Sequence, residues 1–162
     1  MSQTPLWKGS RGEWYLVIQA CLFLLLAFGP RSCAEMAGHD RPYAEVVSTT
    51  GGMLLLAGML LAATGVLNLG KNLTPLPHPK EHATLVVSGA YRIVRHPIYS
   101  GITFMAFGWS LWLNSWLTAG YALTLFAFFD IKSRREERLL TAKFPEYAAY
   151  RARVRKLIPY VY

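Results

Sequence analysis

Apolar residues in this 162-residue chain form three long blocks that contain no Asp, Glu, Lys or Arg. The blocks cover residues 14–28, 46–69 and 97–129. A helix needs about 20 predominantly apolar residues to cross the hydrocarbon core of a bilayer. The second block meets that length. The first is shorter but begins with Trp14 and Tyr15, which are residue types that favour membrane interfaces. Each of these two blocks therefore predicts one transmembrane helix.

The third block is too long for a single crossing, because as one helix it would extend roughly 50 Å at about 1.5 Å per residue. Asn114 and Ser115 divide it nearly in half and predict a tight turn between two helices. The whole pattern predicts an all-α polytopic membrane protein with about four transmembrane helices, two in residues 1–70 and a helical hairpin in residues 71–162. We expect residues 1–162 to form a single membrane domain.

Polar segments flank the predicted hairpin. Residues 73–82, "LTPLPHPKEH", hold three prolines and are expected to be extended and non-helical. Residues 84–91, "TLVVSGAY", predict a short strand or an extended segment. After Phe129 the sequence predicts a charged helix, an interruption at Pro145, and then a second amphipathic helix along the cytoplasmic surface. That helix would carry, at near-helical spacing, Tyr147, Tyr150, Val154 and Leu157.

Positive charge is distributed unevenly over this predicted topology. The net charge is +8, and of 17 Lys and Arg residues only Arg31 and Arg41 fall on one side of the four crossings, which leaves fifteen on the other. Because Lys and Arg favour the cytoplasmic side, both termini and the polar end of the hairpin are expected to be cytoplasmic. A basic cytoplasmic face of this kind contacts anionic membrane lipid, and we expect no nucleic acid partner.

The first apolar block has a second interpretation as a cleavable signal peptide. Lys8 and Arg11 precede a short apolar run, and small residues follow it in "RSCAEMA". The aromatic residues at the start of the block and the Pro30-Arg31 pair favour a retained transmembrane helix instead.

The segment "YRIVRHPIYSG", residues 91–101, places dense polar chemistry at the start of the hairpin. Both ends of a hairpin emerge on the same face of the membrane, so this segment should meet the acidic pair Glu136-Glu137 that follows the hairpin. Ionisable groups at membrane depth are costly, and they indicate a functional site. The candidate constellation comprises Tyr91, Arg92, Arg95, His96, Tyr99, Lys132, Glu136 and Glu137.

Cations and hydroxyl donors on one side of this constellation and carboxylates on the other suit a zwitterionic ligand that carries a sugar. The ligand's carboxylate would bind His96 or an arginine, and its ammonium or ribose hydroxyls would bind a glutamate. S-adenosylmethionine is a molecule of this description.

Two segments of the chain also resemble a known enzyme family. They are "LVVSGAYRIVRHPIYSG" before the hairpin and "EERLLTAKFPEYAAYRARVRKLIPY" after it, and with the hairpin they cover roughly residues 72–160. Their sequence and spacing resemble the isoprenylcysteine carboxyl methyltransferases and their relatives, the phospholipid methyltransferases. The resemblance implies an integral membrane methyltransferase that uses S-adenosylmethionine as cofactor. It also implies a lipophilic or lipid-modified acceptor whose carboxylate receives the methyl group.

The same resemblance implies which residues bind the cofactor. Backbone contacts to adenine are expected from Leu85 and Val86, and contacts to the amino-acid end from the His-Pro-Ile-Tyr segment, residues 96–99. At least one of the paired acids should bind the cofactor as well. The full set is Leu85, Val86, Tyr91, His96, Pro97, Ile98, Tyr99, Glu136 and Glu137.

Lys132 and Arg95 are the candidate catalytic residues. Some eukaryotic members of the family carry an arginine implicated with substrate at the position of Lys132, which keeps the charge but lacks the bidentate fork. An acceptor carboxylate is ionised at about pH 7 and needs a cationic anchor rather than a general base. The remaining task of such a site is to align donor and acceptor and to exclude water.

Several features have other interpretations. His96 could simply begin a helix, and Glu136-Glu137 could form solvated ion pairs with neighbouring arginines. Residues 78–82, "HPKEH", match the H-x-x-E-H zinc pattern, but their prolines deny them the continuous helix that the pattern requires, and we expect no metal. Two functional alternatives remain. One is an NADPH-dependent enzyme resembling the sterol reductases, which share an Arg-His-Pro-x-Tyr stretch, and the other is a non-enzymatic membrane scaffold or carrier.

Overall fold

The computed structural model describes residues 12–31 and 41–162. The signal-peptide interpretation depends on Lys8, Arg11 and residues 32–37, which lie outside these ranges. The described residues form α1 Glu13–Phe28, α2 Arg41–Leu69, α3 Pro97–Trp112, α4 Trp116–Lys143 and α5 Tyr147–Arg153, with short 3-10 turns at Gly70–Asn72 and Gly89–Arg92. These residues contain no β-strand, so the all-α prediction is confirmed.

The two helices predicted from the first two apolar blocks are present as α1 and α2. Of the helices in the described part of the chain, α2 is the one long and apolar enough to cross a membrane, and only 11% of its most apolar part is buried against the rest of the protein. α1 is apolar but shorter, with 16 residues. Large side chains of α2 such as Met53 and Leu56 are exposed, as expected of a surface that faces lipid.

The predicted hairpin is confirmed, with its turn at the predicted position. α3 starts at Pro97, which suits the first helical position because proline has no backbone N–H to leave unpaired. Asn114 adopts a left-handed conformation with φ of 50°, which asparagine tolerates better than most residues. The side chain of Ser115 then caps α4 by accepting a hydrogen bond of 3.3 Å from the backbone N–H of Thr118.

Helix α4 runs without interruption from the apolar hairpin into the charged sequence that follows it. Its apolar part ends at Phe129, and its polar part carries Lys132, Glu136 and Glu137. Because α3 begins at the same end of the hairpin, the polar part of α4 lies beside the start of α3. The hairpin thereby brings the two halves of the predicted site together.

Helices α2 and α3 pack closely along facing glycines. A Cβ atom placed on Gly58 would lie 2.5 Å from the carbonyl oxygen of Gly101, and one placed on Gly108 would lie 2.7 Å from the carbonyl oxygen of Gly51. Real Cβ atoms essentially never come within 3.0 Å of another heavy atom, so only glycine fits here without a shift. Lipid provides no hydrophobic driving force between helices, and small residues compensate by letting the two backbones gain van der Waals contact.

Apolar side chains hold α1 against α4. The buried core consists of Ala106, Ala122, Leu125, Phe128 and Phe129. The ring centre of Tyr15 in α1 lies 6.0 Å from that of Phe128, and the ring centre of Phe23 lies 6.5 Å from that of Phe129. These contacts fix α1 beside α4, close to the polar part of that helix.

The segment between α2 and α3 has little regular structure. Residues 73–82 contain no helix, as their prolines predicted. Residues 84–88 form no strand, which leaves the extended alternative, and the Gly89–Arg92 turn follows them. Asn68 in the last turn of α2 holds this turn, because its side-chain oxygen accepts a hydrogen bond of 2.8 Å from the backbone N–H of Ala90.

The second amphipathic helix is shorter than the sequence predicted. Tyr147 and Tyr150 lie in α5, but the helix ends at Arg153, so the prediction is wrong for Val154 and Leu157. From Val154 onward the chain instead pairs with the segment that precedes α3.

This pairing is made by the backbone. Val94 and Arg155 form an isolated parallel bridge. The N–H of Arg95 donates to the carbonyl of Arg155 at 2.8 Å, and the N–H of His96 donates to the carbonyl of Lys156 at 3.2 Å. The spacing of apolar residues cannot reveal such a contact, because it reports on local periodicity and not on a partner distant in sequence.

We expect Gly58→Ala to destabilise the protein, because the added Cβ has no room against Gly101. Overpacking of a well-packed interior typically costs about 1–3 kcal/mol. Gly120→Ala is the matched control, since a Cβ at Gly120 meets nothing within 4 Å, and alanine favours a helix over glycine by about 1 kcal/mol. The measurement is the free energy of unfolding in detergent micelles. Equal stability of the two variants would show that α2 and α3 do not approach each other at these glycines.

Candidate functional site

A cavity of about 310 Å³ lies beside the segment that joins α2 to α3, called the linker below (residues 73–96). The start of α3, the polar part of α4 and helix α5 form its other walls. The sequence-predicted residues that line it are Leu85, Val86, Tyr91, Arg95, His96, Ile98, Tyr99, Lys132 and Glu136. Three residues of the predicted set are placed elsewhere. Arg92 is exposed outside the cavity, whereas Pro97 and Glu137 are buried behind its wall.

The carboxylate of Glu137 binds side chains from two other parts of the chain. Its Oε1 accepts a hydrogen bond of 2.7 Å from Nε of Arg95 and lies 3.2 Å from Nε2 of His96. Its Oε2 lies 3.6 Å from Nε of Arg151 in α5. Because Glu137 is only 4% exposed, this pairing is what makes a charge tolerable at the position. Glu137 therefore joins the start of α3 and helix α5 to α4.

These partners also keep Glu137 ionised. Burial alone would raise the pKa of Glu137, but the hydrogen bonds and charges of His96 and Arg95 outweigh burial and lower the pKa from 4.5 to about 2. The carboxylate is therefore charged throughout the neutral pH range.

Glu136 has a different position although it is adjacent to Glu137. Successive residues of an α-helix are rotated by about 100°, so the two carboxylates leave α4 in different directions. Glu136 lines the cavity, and its Oε2 accepts a hydrogen bond of 2.8 Å from the hydroxyl of Tyr99. The geometry thus separates two acids that the sequence left as equivalent candidates.

Lys132 is buried in the cavity wall, with 1% exposure. Its Nζ donates to Oε1 of Gln19 at 2.6 Å and to the carbonyl of Pro75 at 3.0 Å. Burial lowers the pKa of Lys132, and the nearby carboxylate of Glu136 opposes that effect. The lysine therefore ties α1 and the linker to α4. Sequence reasoning missed Gln19, whose one signal is a polar residue inside an apolar block, 113 positions away from its partner.

A stack of three rings connects the site to the apolar core. The ring centres of His96 and Tyr99 are 5.5 Å apart with an interplanar angle of 10°, and those of Tyr99 and Phe129 are 4.7 Å apart at 9°. Phe129 is fully buried. Because the central ring is held on both faces, the Tyr99 hydroxyl has a defined direction toward Glu136.

Helix α5 holds Tyr91 in the cavity wall. The hydroxyl of Tyr150 donates a hydrogen bond of 2.6 Å to the backbone carbonyl of Tyr91. Burial raises the pKa of Tyr91, and the charge of Glu136 adds to that effect. The Tyr91 hydroxyl is therefore protonated at neutral pH and is able to donate a hydrogen bond.

Residues 154–162 are anchored to α4 through Asp130, which the sequence did not single out. Its Oδ1 accepts hydrogen bonds from Nζ of Lys156 at 2.5 Å and from the hydroxyl of Tyr162 at 2.8 Å. The backbone carbonyl of Lys156 accepts a hydrogen bond from the backbone N–H of His96. Asp130 therefore fixes the segment that supports His96 from behind the cavity.

An apolar groove of about 320 Å³ adjoins the polar cavity. It lies between α1, α2 and α3 and is lined by Phe23, Leu26, Ala27, Leu55, Ile102, Met105, Ala106 and Trp109. Ile102 borders both the groove and the cavity. The cavity that holds the ionisable side chains and the apolar groove therefore meet at Ile102, and the sequence did not predict this junction.

The zinc-like pattern in residues 78–82 has no helical context in the structure. His78, Glu81 and His82 are exposed and lie in turns and irregular backbone. Within the described ranges, no group of three or more His, Cys, Asp or Glu side chains is placed to hold a metal ion.

A helical fold with exposed apolar surfaces, a cavity that holds ionisable side chains and an adjoining apolar groove indicates a membrane protein. Comparison with known families specifies that class further. The phospholipid methyltransferase family matches residues 46–147, which include α2, the hairpin and most of the cavity wall. The chain belongs to the phospholipid methyltransferase family.

Individual relatives confirm the resemblance that the sequence motifs carry. The chain is 31% identical over 119 residues to protein-S-isoprenylcysteine O-methyltransferase B of Arabidopsis thaliana, a match that covers 71% of this chain and 60% of that protein. It is also 31% identical over 119 residues to the protein-S-isoprenylcysteine O-methyltransferase of Homo sapiens. That match covers 71% of this chain and 42% of the human protein. The chain thus spans less than two thirds of the length of these relatives.

A solved structure shares the fold. It is that of the eukaryotic intramembrane Ras methyltransferase ICMT, isoprenylcysteine carboxyl methyltransferase, with a TM-score of 0.63 at 22% sequence identity. The superposition covers 99% of this chain and 55% of that chain. The all-helical fold predicted from the sequence is therefore shared with a solved intramembrane protein, whereas the number of four crossings stays a prediction.

We expect Glu137→Gln to destabilise the protein at neutral pH, because Arg95 then faces a neutral partner in a buried site. Breaking a buried ion pair typically costs about 3–5 kcal/mol. The folded-state pKa of Glu137 is the lower one, so its contribution is complete above pH 4.5 and is lost as the pH falls toward about 2. The difference in unfolding free energy between wild type and variant should therefore shrink only in that window.

The matched control is Glu146→Gln, which neutralises an exposed glutamate at the start of α5. The measurement is the free energy of unfolding of the wild type and of both variants, in detergent micelles at several pH values in the acidic range. A Glu137→Gln difference that is the same at every pH would show that the charge of Glu137 does not hold these elements together.

Proposed function

We propose that this chain is an integral membrane O-methyltransferase that transfers the methyl group of S-adenosylmethionine to a carboxylate on a lipophilic acceptor, an isoprenylcysteine. The observation that carries the proposal is the junction at Ile102 between the cavity that holds the ionisable side chains and an apolar groove. Membership of the phospholipid methyltransferase family supports methyl transfer. The names of the relatives support both the acceptor and oxygen as the methylated atom.

The cavity suits S-adenosylmethionine in its mixture of groups. Leu85 and Val86 border it from a non-helical segment, where backbone groups can bind the edge of adenine. Glu136 presents a carboxylate that can accept from the ammonium group or the ribose hydroxyls. Further walls of the site are supplied by Tyr91, His96, Ile98 and Tyr99. In this proposal Pro97 and Glu137 position those residues from behind the wall.

When bound, S-adenosylmethionine supplies an electrophilic methyl group on a positively charged sulfur. An acceptor carboxylate is ionised at about pH 7, so the chain has no general base to supply. Its residues have to hold donor and acceptor in line and exclude water. Lys132 provides the positive charge for the acceptor carboxylate. Arg95 is engaged by Glu137 and acts by positioning the start of α3.

The apolar groove is the proposed place for the acceptor's hydrocarbon chain. Its lining includes aromatic and aliphatic residues from three helices, and it reaches the cavity at Ile102. A hydrocarbon chain bound in the groove would hold the acceptor's polar end next to the cavity. Donor and acceptor would then arrive from different phases, the donor from water and the acceptor from lipid.

We also propose the membrane topology. The crossings are α1, α2, α3 and the apolar part of α4, within a single membrane domain of residues 1–162. Both termini and the cavity are cytoplasmic, because 15 of the 17 Lys and Arg residues then lie on that side. The groove faces the bilayer in this arrangement.

Binding and transfer assays on the purified protein in detergent test the proposed function. The protein is titrated with S-adenosylhomocysteine and with NADPH. It is then incubated with methyl-labelled S-adenosylmethionine and either N-acetyl-S-farnesylcysteine or phosphatidylethanolamine. We expect binding of S-adenosylhomocysteine but not NADPH. We also expect labelled farnesylcysteine from which mild base releases methanol, as it does from a methyl ester but not from a methylated amine.

Each other outcome selects a different function. Binding of NADPH without S-adenosylhomocysteine would favour the sterol-reductase-like alternative. Binding of neither would favour a scaffold or carrier. Base-stable labelling of phosphatidylethanolamine would retain methyl transfer but replace the acceptor and the methylated atom.

The groove makes a separate prediction. Ala27→Trp should fill part of the groove and raise the KM for N-acetyl-S-farnesylcysteine at least about tenfold. Excluding two CH₂ groups of the farnesyl chain from the groove would cost about 0.8 kcal/mol each, which accounts for that factor. The affinity for S-adenosylhomocysteine should not change. Ala57→Trp is the matched control, because Ala57 is an exposed residue of α2 that lines neither compartment. An unchanged KM for Ala27→Trp would place the hydrocarbon chain elsewhere.

A further inference from the structure

Tyr147 lines the cavity and has a buried hydroxyl group without a partner among the described residues. The residue lies in α5, is 1% exposed and lines the cavity. Its hydroxyl has no hydrogen-bond partner within the described part of the chain. Buried polar groups are nearly always paired, and a buried group left unpaired is costly. The position therefore points to a partner that residues 12–31 and 41–162 do not provide.

The neighbouring tyrosine shows the contrast. Tyr150 packs edge-on against Tyr147, with ring centres 5.7 Å apart, and is also buried and in contact with the cavity. Its hydroxyl, however, donates to the backbone carbonyl of Tyr91 at 2.6 Å. One tyrosine of the pair completes the protein's own structure, and the other does not.

Three other donors around the cavity already have acceptors in the protein. Nε of Arg95 donates to Glu137, and the hydroxyl of Tyr99 donates to Glu136. Nζ of Lys132 donates to a side-chain oxygen and a backbone carbonyl, and its third N–H is assigned in the proposed function to the acceptor carboxylate. The sequence had assigned His96 or an arginine to a ligand carboxylate, but His96 and Arg95 both contact Glu137. The hydroxyls of Tyr91 and Tyr147 remain as donors for an anionic group of the ligand, and of these two only that of Tyr147 is buried without a partner among the described residues.

The surroundings of Tyr147 keep it a donor. Burial raises the pKa of Tyr147, the charges of Glu137 and Glu136 act in the same direction, and that of Arg95 opposes them. The hydroxyl is therefore protonated at neutral pH. Glu136 lines the same cavity, so a carboxylate acceptor and this donor share one compartment.

We propose that Tyr147 donates a hydrogen bond to the carboxylate of the amino-acid end of S-adenosylmethionine, while Glu136 accepts one from its ammonium group. This assignment rests on the proposed function. An α-amino acid carries an anionic acceptor and a cationic donor on the same carbon atom, so a neutral donor beside a carboxylate matches both groups. Tyr147 is in this sense a specificity residue for a ligand with an intact amino-acid group.

The test compares two probes on two variants. S-adenosylhomocysteine carries the amino-acid group, and 5′-methylthioadenosine has the same nucleoside and a thioether without it. Tyr147→Phe should weaken binding of S-adenosylhomocysteine about ten- to a hundredfold, as expected for loss of a hydrogen bond to a charged group. Its affinity for 5′-methylthioadenosine should equal that of wild type. Calorimetric titration of the full chain in detergent measures both affinities.

Tyr150→Phe is the matched control, because its hydroxyl bonds to the backbone of Tyr91 and not to a ligand. We expect it to change the affinities for the two probes by the same factor. Wild-type affinity of Tyr147→Phe for S-adenosylhomocysteine would overturn the assignment, and so would an equal loss for both probes, which marks a packing effect. In both cases the proposed function stands. Failure of the wild-type protein to bind S-adenosylhomocysteine would overturn both.

Discussion

The ion pairs of Glu137 are the interaction on which the site depends. A carboxylate that is 4% exposed is tolerable only with charged and hydrogen-bonding partners, and here these come from the segment before α3 and from α5. Because the polar part of α4 carries Glu137, the same contacts determine how that helix lies against the start of α3. Glu136, one position earlier, is thereby turned into the cavity.

Close helix packing sets the position of α3 itself. The hydrophobic effect does not drive helices together within lipid, so α2 and α3 depend on van der Waals contact between backbones, which facing glycines permit. The first residues of α3 are then held between the end of α2 and the polar part of α4. Lys132 adds α1 and the linker to this assembly through Gln19 and Pro75. The cavity is the space that these elements enclose, and it does not depend on any single helix.

The position of the site reflects the chemistry proposed for it. In the proposed function a water-soluble methyl donor and a lipophilic acceptor would meet beside Ile102, where the cavity adjoins the apolar groove. Buried hydrogen bonds inside the cavity are strong because the surroundings are of low dielectric. An unpaired hydroxyl such as that of Tyr147 is therefore informative in such a place.

The sequence by itself determined the helices, the hairpin turn at Asn114-Ser115 and the set of polar residues delivered to one end of the hairpin, because these follow from local periodicity, length and the direction in which a hairpin returns. Only the tertiary structure decided which of Glu136 and Glu137 faces the cavity, that α5 ends at Arg153, and that the Tyr147 hydroxyl has no partner among the described residues. The physical reason is that a side chain's partner depends on helix rotation and on backbone contacts between residues far apart in the chain, which no local pattern records.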